Sequence, residues 1–276
     1  MMDTMVLRTA DITTETDLNG DFLKDGLLHC GVCGEPKERL FSGGQLLPGL
    51  KLYKHPLMCA CERKARETEE RRLLEQKHES EVQRLKEKCF DHRIMGSWTF
   101  EQSILDDQKL KIGRKYVENW PDVLQKDLGL LLWGKVGTGK TYFAASIANA
   151  LLYKEVPVRM TNLAAIMNCR YEERADLIKS FRQYDLLIID DFGMERDTSF
   201  GMETVYQVID GRYLDHKPLI LTTNLSLVAL KNPPDIDHRR IYDRVLEMTT
   251  GVRFLGANLR EVQSKARKET LDQILK

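Results

Sequence analysis

The sequence predicts an α/β fold: a central parallel sheet flanked by helices, preceded by a small cysteine-rich segment and a long connecting helix. Three observations carry that expectation. From about Gly96 onward, short apolar runs alternate with helix-forming stretches. One of those runs enters a glycine-rich loop that opens an alanine-rich helix. Ahead of them lie two close cysteine pairs and a highly charged stretch free of Gly and Pro. The 276 residues suffice for one large domain with a smaller attachment.

Charge and composition narrow the functional classes. Lys and Arg total 42, as do Asp and Glu, so the formal net charge is zero. A uniformly basic nucleic-acid binder is thereby excluded, although a local basic face is not. Apolar runs such as Leu130 to Trp133 and Leu186 to Ile189 are far short of the ~20 residues a membrane helix needs. The first twenty residues lack the apolar core of a signal peptide, so the expected location is the cytoplasm and no membrane contact is expected. In a reducing compartment six cysteines read as metal ligands or buried thiols.

Taken in order, residues 1–61 form a first unit, 62–95 a linker and 96–276 a second domain. The first 29 residues are polar and show no convincing periodicity. Residues 62–93 are strong helix formers with only a thin apolar stripe of Leu74, Val82, Leu85 and Cys89, which predicts a long solvated helix. An a/d repeat sustained over several heptads is absent, which argues against a coiled coil. Strands are predicted at Leu130–Trp133, Val156–Met160, Asp185–Asp190 and Leu219–Thr223. Helical stretches follow them at Lys140–Leu152, Ala164–Arg182 and Met202–Leu214. Near-continuous apolar strands alternating with helices indicate a parallel sheet covered on both faces. Trp98-Thr99-Phe100 reads either as core packing or as a contact for a nucleotide base.

Gly134-Lys135-Val136-Gly137-Thr138-Gly139-Lys140-Thr141 fits G-x-x-x-x-G-K-[ST] at every fixed position, between an apolar strand and a helix. Glycines let backbone N–H groups converge on an anion at a helix N-terminus. The Lys140 ammonium is suited to β- and γ-phosphates, and the Thr141 hydroxyl to Mg²⁺. About fifty residues further on, Leu186–Ile189 ends in two acids, Asp190 to hold Mg²⁺ and Asp191 to orient and polarise an attacking water. Asn224 closes the next strand, within reach of the γ-phosphate or that water.

This set resembles the AAA+ P-loop ATPases, with Gly134–Thr141 as Walker A, Leu186–Asp191 as Walker B and Asn224 as sensor 1. More narrowly it is similar to DnaC/DnaI-like replicative helicase loaders, a group within the IstB-like ATP-binding superfamily. The most specific stretches are Ile188-Ile189-Asp190-Asp191-Phe192-Gly193-Met194-Glu195-Arg196, Asp210-Gly211-Arg212-Tyr213 and Arg240-Ile241-Tyr242-Asp243-Arg244. The resemblance implies an arginine finger at Arg244, with Arg239 and Arg240 as rivals, and a sensor 2 at Arg260. It also implies self-assembly through the ATPase domains and a core without the full helical lid of larger relatives. Asp191 stands where Glu is commonest, and a shorter acid implies slow hydrolysis. A surplus of basic residues from Arg239 to Lys268 is suited either to single-stranded DNA or to a simply solvated C-terminal helix.

Cys30-Gly31-Val32-Cys33 and Cys59-Ala60-Cys61 stand twenty-five residues apart, so two thiolate pairs can close a tetrahedral zinc site, with His55 as a substitute ligand. Under the resemblance, this module would grip a DnaB-like helicase hexamer. Cys89 and Cys169 read as packing residues. The competing expectation is an IstB-like transposition helper ATPase. A third is an adaptor that binds ATP and barely turns it over.

Overall fold

The computed structural model describes residues 20–42, 52–193 and 199–275. The Gly/Pro-rich middle of the first unit and Met194-Glu195-Arg196 therefore lie outside the described residues. The chain divides into two compact units, 1–78 and 79–276.

In the first unit, β1 (Phe22–Lys24) pairs antiparallel with β2 (Leu27–His29), and β3 (Glu38–Ser42) with β4 (Leu52–Pro56). These strands are short and largely exposed, and so left no periodic signal in the sequence. Helix α1 (Ala60–Cys89) follows, and the unit boundary falls within it, between His78 and Glu79. The predicted long charged helix is present, and its apolar stripe is buried only toward the C-terminal end, at Val82, Leu85 and Cys89.

The second unit is built on a five-stranded parallel sheet of β5 (Gly129–Gly134), β6 (Val158–Asn162), β7 (Leu186–Phe192), β8 (Leu219–Thr223) and β9 (Thr249–Phe254). Their spatial order is β6-β7-β8-β5-β9. Successive residues of one strand feed opposite cores. Leu186 and Ile188 pack with α2 (Asp107–Glu118) and α4 (Lys140–Tyr153). Leu187 and Ile189 pack with α7 (Ser199–Leu214) and α9 (Ile236–Met248). Burial of both faces is why these strands read as unbroken apolar runs. β9 was not anticipated, because Thr249-Thr250-Gly251 lacks such a run; as an edge strand it needs one apolar anchor, Phe254.

The predicted helical stretch after β6 is split into α5 (Leu163–Met167) and α6 (Tyr171–Ser180). Arg174 bridges the break, donating to the carbonyls of Ile166, Met167 and Cys169. At the far edge of the sheet, Arg159 of β6 donates to the carbonyls of Lys88 and Cys89 and pairs with Asp91. Those bonds satisfy the last turn of α1 and cover an otherwise open edge. Cys89 packs in the core, and burial pushes its thiol up to about 12.

Candidate functional site

The phosphate loop runs from the end of β5 into α4, where β5 lies between β8 and β9 rather than beside β6. Such a reversal of strand order leaves a crevice at the carboxyl ends of the strands. Gly137 has φ +78, and a Cβ there would lie 1.8 Å from Asn258 Oδ1, so the position accepts glycine alone. Leu259 N–H donates to the Gly137 carbonyl at 2.8 Å, and Asn258 Oδ1 caps the first turn of α10 (Leu259–Ile274) by accepting from Arg260 N–H. The start of α10 is thus docked on the loop and brings Arg260 with it; the positive charge of Arg260 is felt at Lys140. Thr138 fastens the loop internally by donating to the Lys135 carbonyl at 2.8 Å. Val136 is exposed.

Lys140 is 5% exposed, and its Nζ donates to the carbonyls of Gly134 (2.8 Å) and Lys135 (2.9 Å) and to Asn224 Oδ1 (2.8 Å). Burial lowers its pKa, with Asp191 and Asp190 opposing that shift. Thr141 Oγ1 donates to Asp190 Oδ1 at 3.0 Å. Burial raises the Asp190 pKa, and the neighbouring charge of Asp191 adds to the effect. The structure therefore brings Lys140, Thr141, Asp190, Asp191, Asn224 and the loop into one cleft. A glycine-rich loop at a helix N-terminus, a buried ammonium and two carboxylates beside a hydroxyl form a donor set suited to a polyphosphate with a divalent cation.

The family profile of the IstB-like ATP binding proteins matches residues 60–263. The chain belongs to that family. This IstB-like protein is 29% identical over 153 residues to the replicative helicase loader DnaI of Bacillus subtilis, covering 49% of this chain and 48% of that protein. It is 27% identical over 125 residues to the replicative helicase loader DnaC of Escherichia coli K12, covering 43% and 50%. With an insertion-sequence ATP-binding protein of Mycobacterium tuberculosis it shares 26% over 167 residues, covering 55% and 65%. The chain thus spans about half to two thirds of the length of these relatives. A crystal structure of DnaI superposes with a TM-score of 0.53 at 18% identity, covering 64% of this chain and 99% of that one, a likeness of fold. The sheet and loop are those of an AAA+ P-loop core.

Outside the cleft, Arg244 pairs with Asp210 and its guanidinium stacks 4.7 Å from the Tyr206 ring and 5.5 Å from Tyr213. All three partners lie on α7, so Arg244 joins α9 to α7. Arg239 and Arg240 are exposed. Arg212 is almost fully buried, donating to the carbonyls of Phe181, Tyr184, Asp185 and Pro218, and burial brings its pKa down to about 10. The Asp210–Tyr213 stretch therefore holds Arg244 and the amino-terminal ends of β7 and β8. Trp98 stacks on Tyr142 at 5.3 Å, and Phe100 meets Phe143 edge-on at 6.2 Å, which is the packing alternative for that segment.

In the first unit the Sγ atoms of Cys30, Cys33, Cys59 and Cys61 all lie within 4.8 Å of one another. Cys61 Sγ is 3.3 Å from Cys30, 3.1 Å from Cys59 and 3.6 Å from Cys33. Thiolates bound to zinc at about 2.3 Å stand about 3.8 Å apart, so the cluster fits a tetrahedral ion. Backbone N–H groups of Glu35 and Cys61 bring the Cys33 thiol down to about 6, whereas crowding by Cys59 and Cys30 pushes Cys61 up. His55 is not in the cluster, because the four sulfurs close on themselves. Glu35 accepts from Ala60 N–H and Arg63, and Lys37 pairs with Asp21 and Glu62, which ties the knuckle to the first turn of α1. Cys169 lies apart, with its thiol directed at Glu173.

Proposed function

We propose that the chain is an ATP-dependent loader of a DnaB-like replicative helicase hexamer, using ATP binding and hydrolysis as a switch during initiation of DNA replication. One observation carries this reading over its rival: the family's ATP-binding core is joined to a four-thiol module lying almost wholly ahead of the matched residues 60–263. The transposition helpers that the core also resembles typically carry a different, cysteine-poor N-terminal region. The second reading, a helper acting with a transposase, draws on the insertion-sequence relative, which is matched over the larger share of both chains.

In this mechanism the backbone of Gly134–Gly139 and the Lys140 ammonium bind the phosphates. Lys140 leaves carbonyl partners for phosphate oxygens, and Asn224, now its acceptor, turns toward the γ-phosphate or the water. Thr141 and Asp190 would hold Mg²⁺, which would offset phosphate charge. Asp191, exposed beside them, orients the water and takes its proton. Arg244 serves the neighbouring subunit's nucleotide and must leave Asp210 to do so, which makes hydrolysis depend on assembly. Arg260 reports nucleotide to α10. Basic side chains of α9 and α10 contact single-stranded DNA, and Cys30, Cys33, Cys59 and Cys61 would hold a zinc ion that orders the helicase-binding module.

The test is co-elution of the purified chain with the hexameric replicative helicase from the same genome, with and without ATP. A complex lost on Cys30→Ser is expected. Failure to bind the helicase, together with capture of the transposase from the same genome, would favour the helper reading.

A further inference from the structure

The two acids of the cleft sit on a defect in the sheet. β7 and β8 pair Ile188 with Ile220 and Ile189 with Leu221, yet the next pair is Phe192 with Thr223. Three steps on β7 thus match two on β8, so β7 carries one extra residue in a β-bulge at Asp190-Asp191. Asp191 has φ +55, a left-handed conformation uncommon outside glycine, though Asp is among the residues that adopt it most readily.

Thr222 stands opposite the bulge and is fully buried. Its hydroxyl accepts from the Asp191 N–H at 2.9 Å and donates to Asp190 Oδ1 at 2.6 Å. The single hydroxyl proton is committed to Asp190, on the same oxygen that Thr141 reaches from the phosphate loop. On the next residue, Thr223 Oγ1 donates to the Phe192 carbonyl at 2.7 Å and accepts from Leu225 N–H at 3.1 Å. Two side-chain hydroxyls of β8 thereby tie it to β7 at the bulge.

We propose that Thr222 is a positioning residue for the reaction. It locks the bulge so that Asp190 keeps one oxygen turned to Thr141 while the Asp191 carboxylate is carried out of the sheet into the cleft. Because Asn224 directly follows Thr223, the last residue of β8, a movement of Asn224 on losing Lys140 is passed to both acids through Thr222. The proposal rests on the ATPase reading for its kinetic consequence, but not for its effect on the cation.

Three variants test it: Thr222→Val, which keeps shape and removes the hydroxyl; Thr222→Ser, which restores the hydroxyl; and Lys140→Ala, as the non-binding control. Thr222→Val is expected to bind a fluorescent ATP analogue without Mg²⁺ within about threefold of wild type. Its kcat should fall by about 10–100-fold and its half-saturating Mg²⁺ rise by a similar factor, the usual effect of removing a group that orients a ligand. Thr222→Ser should recover both. If Thr222→Val is too unstable to purify, Thr222→Ala against Thr222→Ser makes the same comparison. Unchanged kcat and Mg²⁺ dependence in a folded Val or Ala variant overturns the proposal, as does a Ser variant equally impaired. A wild type that binds nucleotide without hydrolysing it defeats the ATPase reading alone. The gain in nucleotide affinity on adding Mg²⁺, lost in Thr222→Val and kept in Thr222→Ser, then decides the role of Thr222.

Discussion

Held between Tyr206 and Tyr213 and paired with Asp210, the Arg244 guanidinium has partners within its own subunit before any neighbour arrives. Its side chain is 27% exposed, so the contacts are only partly screened. Stacking on aromatic faces is worth about 0.5–2 kcal/mol, and Arg244→Ala should lower stability by that order in a urea titration. As an arginine finger it should also act across subunits: Arg244→Ala chains, inactive alone, recover hydrolysis when mixed with Lys140→Ala chains that supply the arginine. Recovery by the equivalent mixture of Arg240→Ala instead would move the finger one turn along α9. None of the cage could be seen in the sequence, because Asp210 and Arg244 are 34 positions apart on helices with no shared motif. Thr222 was hidden likewise. Its role depends on a register shift between strands, whereas Lys140, Thr141 and the two acids are fixed by local spacing and were legible.

Among elements, α2 and α4 cross closely enough that Gly113 is required by its neighbours. A Cβ there would lie 2.7–2.8 Å from ring atoms of Phe100 and Phe143, which are themselves buried. Replacing a helical glycine by alanine gains about 1 kcal/mol in propensity. Overpacking against two fixed rings costs about 1–3 kcal/mol, so the clash wins and Gly113→Ala should destabilise. Gly211 in α7 makes the opposite case, since its Cβ would meet nothing within 4 Å. Gly211→Ala should raise stability by about 0.5–1 kcal/mol. Equal signs for the two variants in denaturant titrations would refute the packing argument. Element identity was legible wherever apolar runs were buried on both faces, as in β5, β7 and β8. It was not legible in β9 or the N-terminal strands, where exposure removes the pattern and only pairing defines the strand.

At the scale of the molecule, the two units are stabilised by different means. The second has cores on both faces of its sheet. In the first, the only buried side chains among the described residues are Cys30 and Cys59, while Phe22, Leu23, Val32, Leu40, Leu57 and Met58 are exposed. A metal bound by the four thiolates would supply stabilisation that so little burial among the described residues does not. The cysteine spacing pointed to a metal site, but not to how little else is buried among the described residues. Metal analysis of the full chain should therefore find about one zinc per molecule. Stripping it with a strong chelator, or Cys30→Ser, should melt the first unit while leaving the cooperative transition of the second. A nucleotide with Mg²⁺ at 100 times its Kd should stabilise only the second, by about 2.7 kcal/mol. Calorimetry of the whole chain separates these effects, because the chelator and the nucleotide act on different transitions. One transition that responds to both would show that the units fold as one. Two transitions indifferent to the chelator would mean that the thiol cluster holds no structural metal.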